Sequence, residues 1–337
     1  MMKKYFKIAF LATLLLFTNA GVKAQDVIFS QFYANPLYMN PAFAGSKVCP
    51  RISLNYRSQW PALVSAFTTV SASYDQYFDD LHGGVGAILM TDRQGDHGAL
   101  STSSLAVMYA FRFQVAREVW VNAGLKAGVV NTSLNWNDLR FPDMIDRING
   151  FTGMTSAQMP EYTNVWYLDF DAGVMAYGPA WYAGFSAAHL TQPSNGFYGV
   201  VKLPMKFTGN VGVLINIAEE ARRTSSLGLG TPVLSPNLIY QYQAGFHYFN
   251  YGLYLDWMPF IVGVWFRHGI GVERWNPDAF IFQIGFQQDY FKIGYSYDVT
   301  VSKLSNNTSG AHEFSFGFIL PCPEKKQRVK AIRCPSF

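Results

Sequence analysis

From residue 51 to residue 320 the chain alternates, one side chain apolar and the next polar or small, in segment after segment. In 279–288, Phe280, Phe282, Ile284 and Phe286 fall on one side, with Gln283, Gly285 and Gln287 on the other. In 291–302, Ile293, Tyr295, Tyr297, Val299 and Val301 oppose Gly294, Ser296, Asp298, Thr300 and Ser302. Val121, Ala123, Leu125, Ala127 and Val129 oppose Asn122, Gly124, Lys126 and Gly128, and Tyr240, Tyr242, Ala244, Phe246 and Tyr248 oppose Gln241, Gln243, Gly245 and His247. A period of two places every second side chain on one face of a strand. The pattern predicts about fourteen strands, twelve to sixteen at the limits. They fall at 51–60, 66–76, 84–92, 100–114, 119–133, 166–178, 181–190, 206–217, 236–247, 249–257, 260–268, 279–288, 290–301 and 311–320.

Several of these segments have the length of a tilted membrane-crossing strand. One face is aromatic and aliphatic, whereas the other carries Gly, Ser, Thr, Asn, Gln and only sparse charge. A soluble sandwich would expose a charged face, so the pattern predicts an all-β transmembrane antiparallel barrel, apolar outside and polar within. The connections agree. If the first strand starts on the periplasmic side, the outward loops (61–65, 92–99, 134–165, 191–205, 248, 269–278 and 302–310) are mostly long. The inward turns (77–83, 115–118, 179–180, 258–259 and 289) are mostly short, the usual asymmetry of outer-membrane barrels. An exception is 218–235, a long inward connection with Glu219, Glu220, Arg222 and Arg223: a partner-facing loop or a miscounted strand.

Composition narrows the class. Of 337 residues half are hydrophobic, 17% are aromatic and 14% are charged, which excludes intrinsic disorder. The net charge of +4 is misplaced rather than distributed. Lys3, Lys4, Lys7 and Lys23 lie in the first 24 residues, and five bases with one acid lie in 324–333, so the body between is net acidic. No basic face remains for nucleic acid. Residues 1–24 read as a secretory signal: a lysine-rich start, an apolar run from Ile8 to Phe17 too short to span a bilayer, and small residues around Lys23 before Gln25. The expected organisation is therefore a signal peptide (1–24), an extended N-terminal segment that is periplasmic or a plug (25–50), the barrel (51–320) and a basic periplasmic tail (321–337).

Candidate chemistry is sparse. Cys49, Cys322 and Cys334 lack metal-ligand spacing. In a closed barrel the first and last strands are neighbours, so Cys49 and Cys322 meet at the periplasmic rim and a disulfide between them is one pairing. Cys322 with Cys334 is the other, and free thiols are the third possibility. Arg57 on the first strand faces Glu313 on the last if residue 51 lies opposite about residue 320, and Asp298 points into the same region. These three form either a lumen network that pins strand register or a docking surface. Asp169 and Asp171 are a second inward pair, solvated rather than catalytic. Asp92, Asp96 and His97 in TDRQGDHG suit a Gly- and Asp-rich turn better than a calcium site. His312-Glu313 lacks the second His of a zinc helix, and Gly84-Val85-Gly86 lacks the rest of a nucleotide fingerprint. No nucleophile sits in an elbow motif. No enzyme activity, cofactor or metal is expected.

Three blocks carry a family resemblance. QDVIFSQFYANPLYMNPAFAGS holds Gln31, Phe32, Tyr33, Pro36, Asn40, Pro41, Ala42 and Gly45; NYRSQWPAL holds Tyr56, Arg57, Gln59 and Trp60. GYSYDVTVSKL and GAHEFSFGFIL hold Gly294, Tyr295, Ser296, Tyr297, Asp298, His312 and Glu313. In this order they resemble the PorP/SprF family of Bacteroidetes type IX secretion proteins; the tail with two cysteines is not part of that pattern. The resemblance implies an outer-membrane barrel serving type IX secretion, gliding motility or both. Its implied partners are the outer membrane, a large secreted adhesin with a type IX C-terminal sorting domain, and periplasmic lipoprotein or peptidoglycan-binding components. The residues themselves add that NPLYMNPAFAG, rich in Asn, Pro and Gly, is a turning or extended segment. The loop 134–165 carries Trp136, Phe141, Pro142, Met144, Phe151 and Met159, an apolar set that either folds over the mouth or binds protein. Two functions stay open: a non-enzymatic adapter or anchor, and a passive, porin-like diffusion channel.

Overall fold

The structure, a computed structural model, describes residues 26–63, 66–146, 148, 150–217, 231–270, 275–288, 290–301 and 308–322. The expected signal segment, the basic tail with Cys334, and the charges of 219–223 lie outside the described residues.

Fourteen antiparallel strands close into a barrel, as the period-two pattern predicts. They are β1 (Arg51–Gln59), β2 (Phe67–Phe78), β3 (Gly83–Gln94), β4 (Leu100–Ala116), β5 (Val119–Leu134), β6 (Asn164–Tyr177) and β7 (Trp181–Ala188). They continue with β8 (Lys206–Val213), β9 (Val233–Gln243), β10 (Phe246–Trp257), β11 (Phe260–Ile270), β12 (Trp275–Gln288), β13 (Phe291–Thr300) and β14 (Ala311–Ile319). Each strand pairs with the next, and β14 returns to β1 with Arg51 opposite Ile319 and Arg57 opposite Glu313. Among the described residues no helix is long and apolar enough to cross a membrane.

The two faces separate as a membrane barrel requires. Outward Leu105, Leu125 and Ile284 are 56%, 66% and 60% exposed, whereas inward Asn55, Asn122 and Gln283 are buried. The buried state of the inward face has a specific cause. About fourteen strands enclose a lumen wide enough for water, and here residues 26–50 occupy it. The segment is turned rather than extended. A single helical turn, α1 (Pro36–Met39), begins on a proline whose fixed φ suits that position. Asn40 then ends it, and its side chain accepts from the Ala42 N–H to start the 3-10 turn Pro41–Phe43.

This segment reaches all fourteen strands. Its Ala34 carbonyl accepts from Asn55 of β1, and Asn35 donates to Ser71 of β2. Arg112 of β4 and Asn122 of β5 donate to the carbonyls of Gly45 and Ala42, and Ser186 of β7 donates to that of Met39. Tyr33 packs on Tyr254 of β10 and Trp265 of β11, and donates to Asn237 of β9. Lys206 of β8 donates to the Tyr38 hydroxyl. Gln283 of β12 donates to the Ser30 carbonyl, and Ser30 reaches Asp298 of β13 and Glu313 of β14. On β3, β5 and β6 the wall meets the segment with glycine. A Cβ at Gly84 would lie 2.1 Å from the Ala44 oxygen, one at Gly124 2.5 Å from the Ala42 nitrogen, and one at Gly173 2.1 Å from Asn40 Oδ1. Only a residue without a Cβ admits backbone this close.

Candidate functional site

The polar centre of the barrel is built across its seam. Arg57 Nη1 lies 3.1 Å from Glu313 and Nη2 3.1 Å from Asp298, all three buried. Arg267 of β11 adds a second cation 3.2 Å from Asp298. Ser30 joins the four charges: its hydroxyl donates to Asp298 and accepts from Arg57 and Arg267. Its backbone N–H and that of Gln31 donate to Glu313, and the Gln31 side chain donates to the Glu313 carbonyl while accepting from Ser315. Two cations therefore face two carboxylates around one hydroxyl. The arrangement locks a chain segment in place.

Above this floor, towards the long loops, lies a cavity of about 740 Å³. It is lined by Asp26, Tyr38 and Pro41 below and by Asp92, Lys126 and Asp169 on the wall, among others. Asp169, Asp171 and His189 offer ligand atoms within 4.8 Å of one another, the one group of this kind among the described residues. It does not suit a metal ion. Lys126 is paired with Asp171. Both ring nitrogens of His189 are engaged, Nδ1 by Asp169 at 2.9 Å and Nε2 by Asp26 at 2.9 Å, so the imidazole has no lone pair left for a cation.

That ring links Asp26, at the start of the lumen segment, to the wall. Burial opposes the charge on His189, but the carboxylates of Asp26 and Asp169 override it and push the imidazole up to about 10. Asp26 moves the other way: burial would raise its carboxyl, yet Lys206 and His189 hold it well below the usual carboxylate range. An unfolded histidine titrates at about 6.5. Its contribution to docking is thus full below that value and is lost as pH rises through about 10, whereas the Asp26 contribution is lost only in strong acid. A spin label at Val27 is expected to stay immobile from about pH 5 to pH 9 and to become mobile near pH 10. Release near pH 6.5 would mean a neutral imidazole.

Cys49 and Cys322 form a disulfide with Cα atoms 4.8 Å apart, joining the end of the lumen segment to the end of β14. Non-reducing peptide mapping should recover Cys49 linked to Cys322; a Cys322–Cys334 peptide would contradict that pairing.

The family-motif residues divide into three groups. Gln31, Tyr33, Asn40, Pro41 and Gly45 belong to the lumen segment, Gly45 with φ +65° and its N–H donating to Asp75. Gln59 accepts from Arg57, and the Trp60 N–H donates to the Gly310 carbonyl, bracing the seam. Gly294 lies on β13, paired with Gly285 and Ser315. Tyr295, Tyr297 and His312 face outward instead. Tyr295 and His312 are hydrogen-bonded at 2.9 Å, and the Tyr297 ring is 4.9 Å from that of His312. Tyr240, Tyr242 and His247 repeat this arrangement on β9 and β10, a pairing invisible without the register. Such aromatic groups sit where a barrel meets the membrane interface.

The remaining expected sites resolve by contact. Asp92 is buried and accepts from Thr69 and Gln94, while Asp96 pairs with His97 and Arg140. Of the apolar loop residues, Trp136 and Phe141 pack on each other at 5.0 Å and Met144 is buried. Phe151 is exposed, and Ile145, Ile148, Met154 and Met159 are exposed beside it in sequence. Sequence reasoning picked out Phe151 and Met159 of this exposed set and missed Ile145, Ile148 and Met154.

The model of the family described as "Type IX secretion system membrane protein PorP/SprF" matches residues 21–318. Among solved structures, the toluene transporter TbuX of Ralstonia pickettii is 10% identical, with 85% of this chain and 93% of that one covered and a TM-score of 0.49. The outer membrane protein Omp33 of Acinetobacter baumannii is 8% identical, with 81% and 100% covered and a TM-score of 0.45. No curated protein matches this chain.

Proposed function

The chain belongs to the PorP/SprF family of type IX secretion system membrane proteins, an outer-membrane barrel, and from that premise we propose that it acts as a non-enzymatic adapter. It holds a secreted surface protein, a large adhesin with a type IX C-terminal sorting domain, at its long-loop end. Its short-turn end meets periplasmic lipoprotein or peptidoglycan-binding components. The observation that carries this reading is the filled lumen. A diffusion channel needs a continuous aqueous path, whereas here residues 26–50 contact every strand and leave a blind cavity on one side. A barrel that spends its interior on its own chain presents its ends to partners.

Crosslinking in intact cells, purification in detergent and mass spectrometry of what accompanies the barrel test this. Recovery of one large surface adhesin marks an adhesin anchor; periplasmic ring components mark a core secretion part. If neither is recovered under conditions that preserve a known complex, the adapter reading fails and the diffusion channel replaces it.

A further inference from the structure

One stretch of the barrel wall lacks a neighbour. β5 pairs with β6 along its whole length, from Ser133 opposite Asn164 to Trp120 opposite Tyr177. On its other side β6 pairs with β7 only from Ala172 to Tyr177, and one further bond runs from the Leu190 N–H to the Phe170 carbonyl. β7 ends at Ala188 and β8 starts at Lys206, so the wall is short here. Because the Phe170 carbonyl points towards β7, the N–H and C=O groups of Leu168 and Trp166, two and four residues earlier, point the same way. They have no hydrogen-bond partner among the described residues.

The stretch is also apolar outside. Trp166 and Leu168 are 67% and 59% exposed, and Val129 beside Leu168 on β5 is outward and exposed too. An open strand edge is a ready template for pairing with another chain. The inward residues of the same stretch, Tyr167 and Asp169, line the cavity. That cavity carries charges of both signs, and among its carboxylates Asp92 has the Thr69 hydroxyl and the Gln94 amide as partners rather than a cation.

We propose that the outer half of β6, residues 164–170, is a docking edge to which an extended segment of the secreted partner adds as a strand. Open backbone groups at a two-residue spacing match only another extended backbone. The partner's outward side chains are apolar, to meet lipid beside Trp166 and Leu168. Its inward side chains are basic or polar and enter the cavity towards Asp92. The inference rests on the adapter reading and names the surface that reading leaves open.

Leu168→Pro isolates the edge, since it removes an N–H that points away from β5 and leaves the β5–β6 ladder intact. In crosslinked cells the full-length variant should fold, keep its periplasmic partners and recover about tenfold less secreted partner than the wild type. Equal recovery, or no secreted partner even with the wild type while periplasmic components are recovered, overturns the docking edge and leaves the adapter reading standing; recovery of neither with the wild type overturns both. Should Leu168→Pro fail to fold, a photo-crosslinking residue at position 168 answers instead, with one at the lipid-facing Leu125 as control. A crosslink at 168 to an alternating apolar and basic segment of the secreted protein supports the edge. A product of twice the chain's mass, or none beyond the control, overturns it.

Discussion

Valine at both Gly84 and Gly124 is expected to expel the N-terminal segment and convert a sealed barrel into an open pore. A Cβ at these positions already lies 2.1 and 2.5 Å from backbone atoms of Ala44 and Ala42, and valine adds two methyl groups beyond it. The obstacles are backbone, held in turn by Arg112 and Asn122, and cannot swing aside as a side chain would. The wall ladders are untouched, and water replaces the segment on the polar inner face. The expected results are cleavage of residues 26–50 by chymotrypsin in folded barrels and a steady conductance in planar bilayers. Gly209→Ala is the control, since a Cβ there meets nothing within 4 Å, and it should behave as wild type. A protected, silent double variant would refute the tight docking.

Arg57→Ala is expected to be the most damaging single change in the seam. It removes one of two cations from a buried cluster and leaves Glu313 without its charged partner, with Arg267 alone to serve Asp298. Stranding a buried charge in this way costs about 3–5 kcal/mol. The loss appears as a lower urea midpoint for the collapse of heat-modifiable gel mobility. Adding Glu313→Gln should recover part of it, because the carboxylate that lost its charged partner is then neutral. A variant as stable as wild type would mean that water, not Arg57, compensates the carboxylates.

The barrel was legible because alternation survives in every strand, and because closing it forces β1 beside β14. Arg57 and Glu313 are 256 residues apart in sequence yet directly opposed, a consequence of closure alone. The lumen contents were not legible. Ser30 and Gln31 gain their partners from residues 282 and 283 positions away, and no local pattern encodes such distances. Gly84, Gly124 and Gly173 look like ordinary small residues of a polar face until the segment is seen against them. In the loop after β5, Trp136 packs on Phe141 and Met144 is buried while Phe151 and Met159 are exposed, a division that composition alone does not carry. The His189 link was hidden for the opposite reason, since Asp26 lies 163 residues before its partner.

Single-channel recording of the wild-type protein in planar bilayers bears most directly on the claim that this barrel holds partners rather than passes solutes. The structure predicts a trace at the lipid baseline, with the Gly84→Val, Gly124→Val protein conducting under the same conditions. Stable, long-lived openings of the wild type would contradict it and make the barrel a diffusion channel.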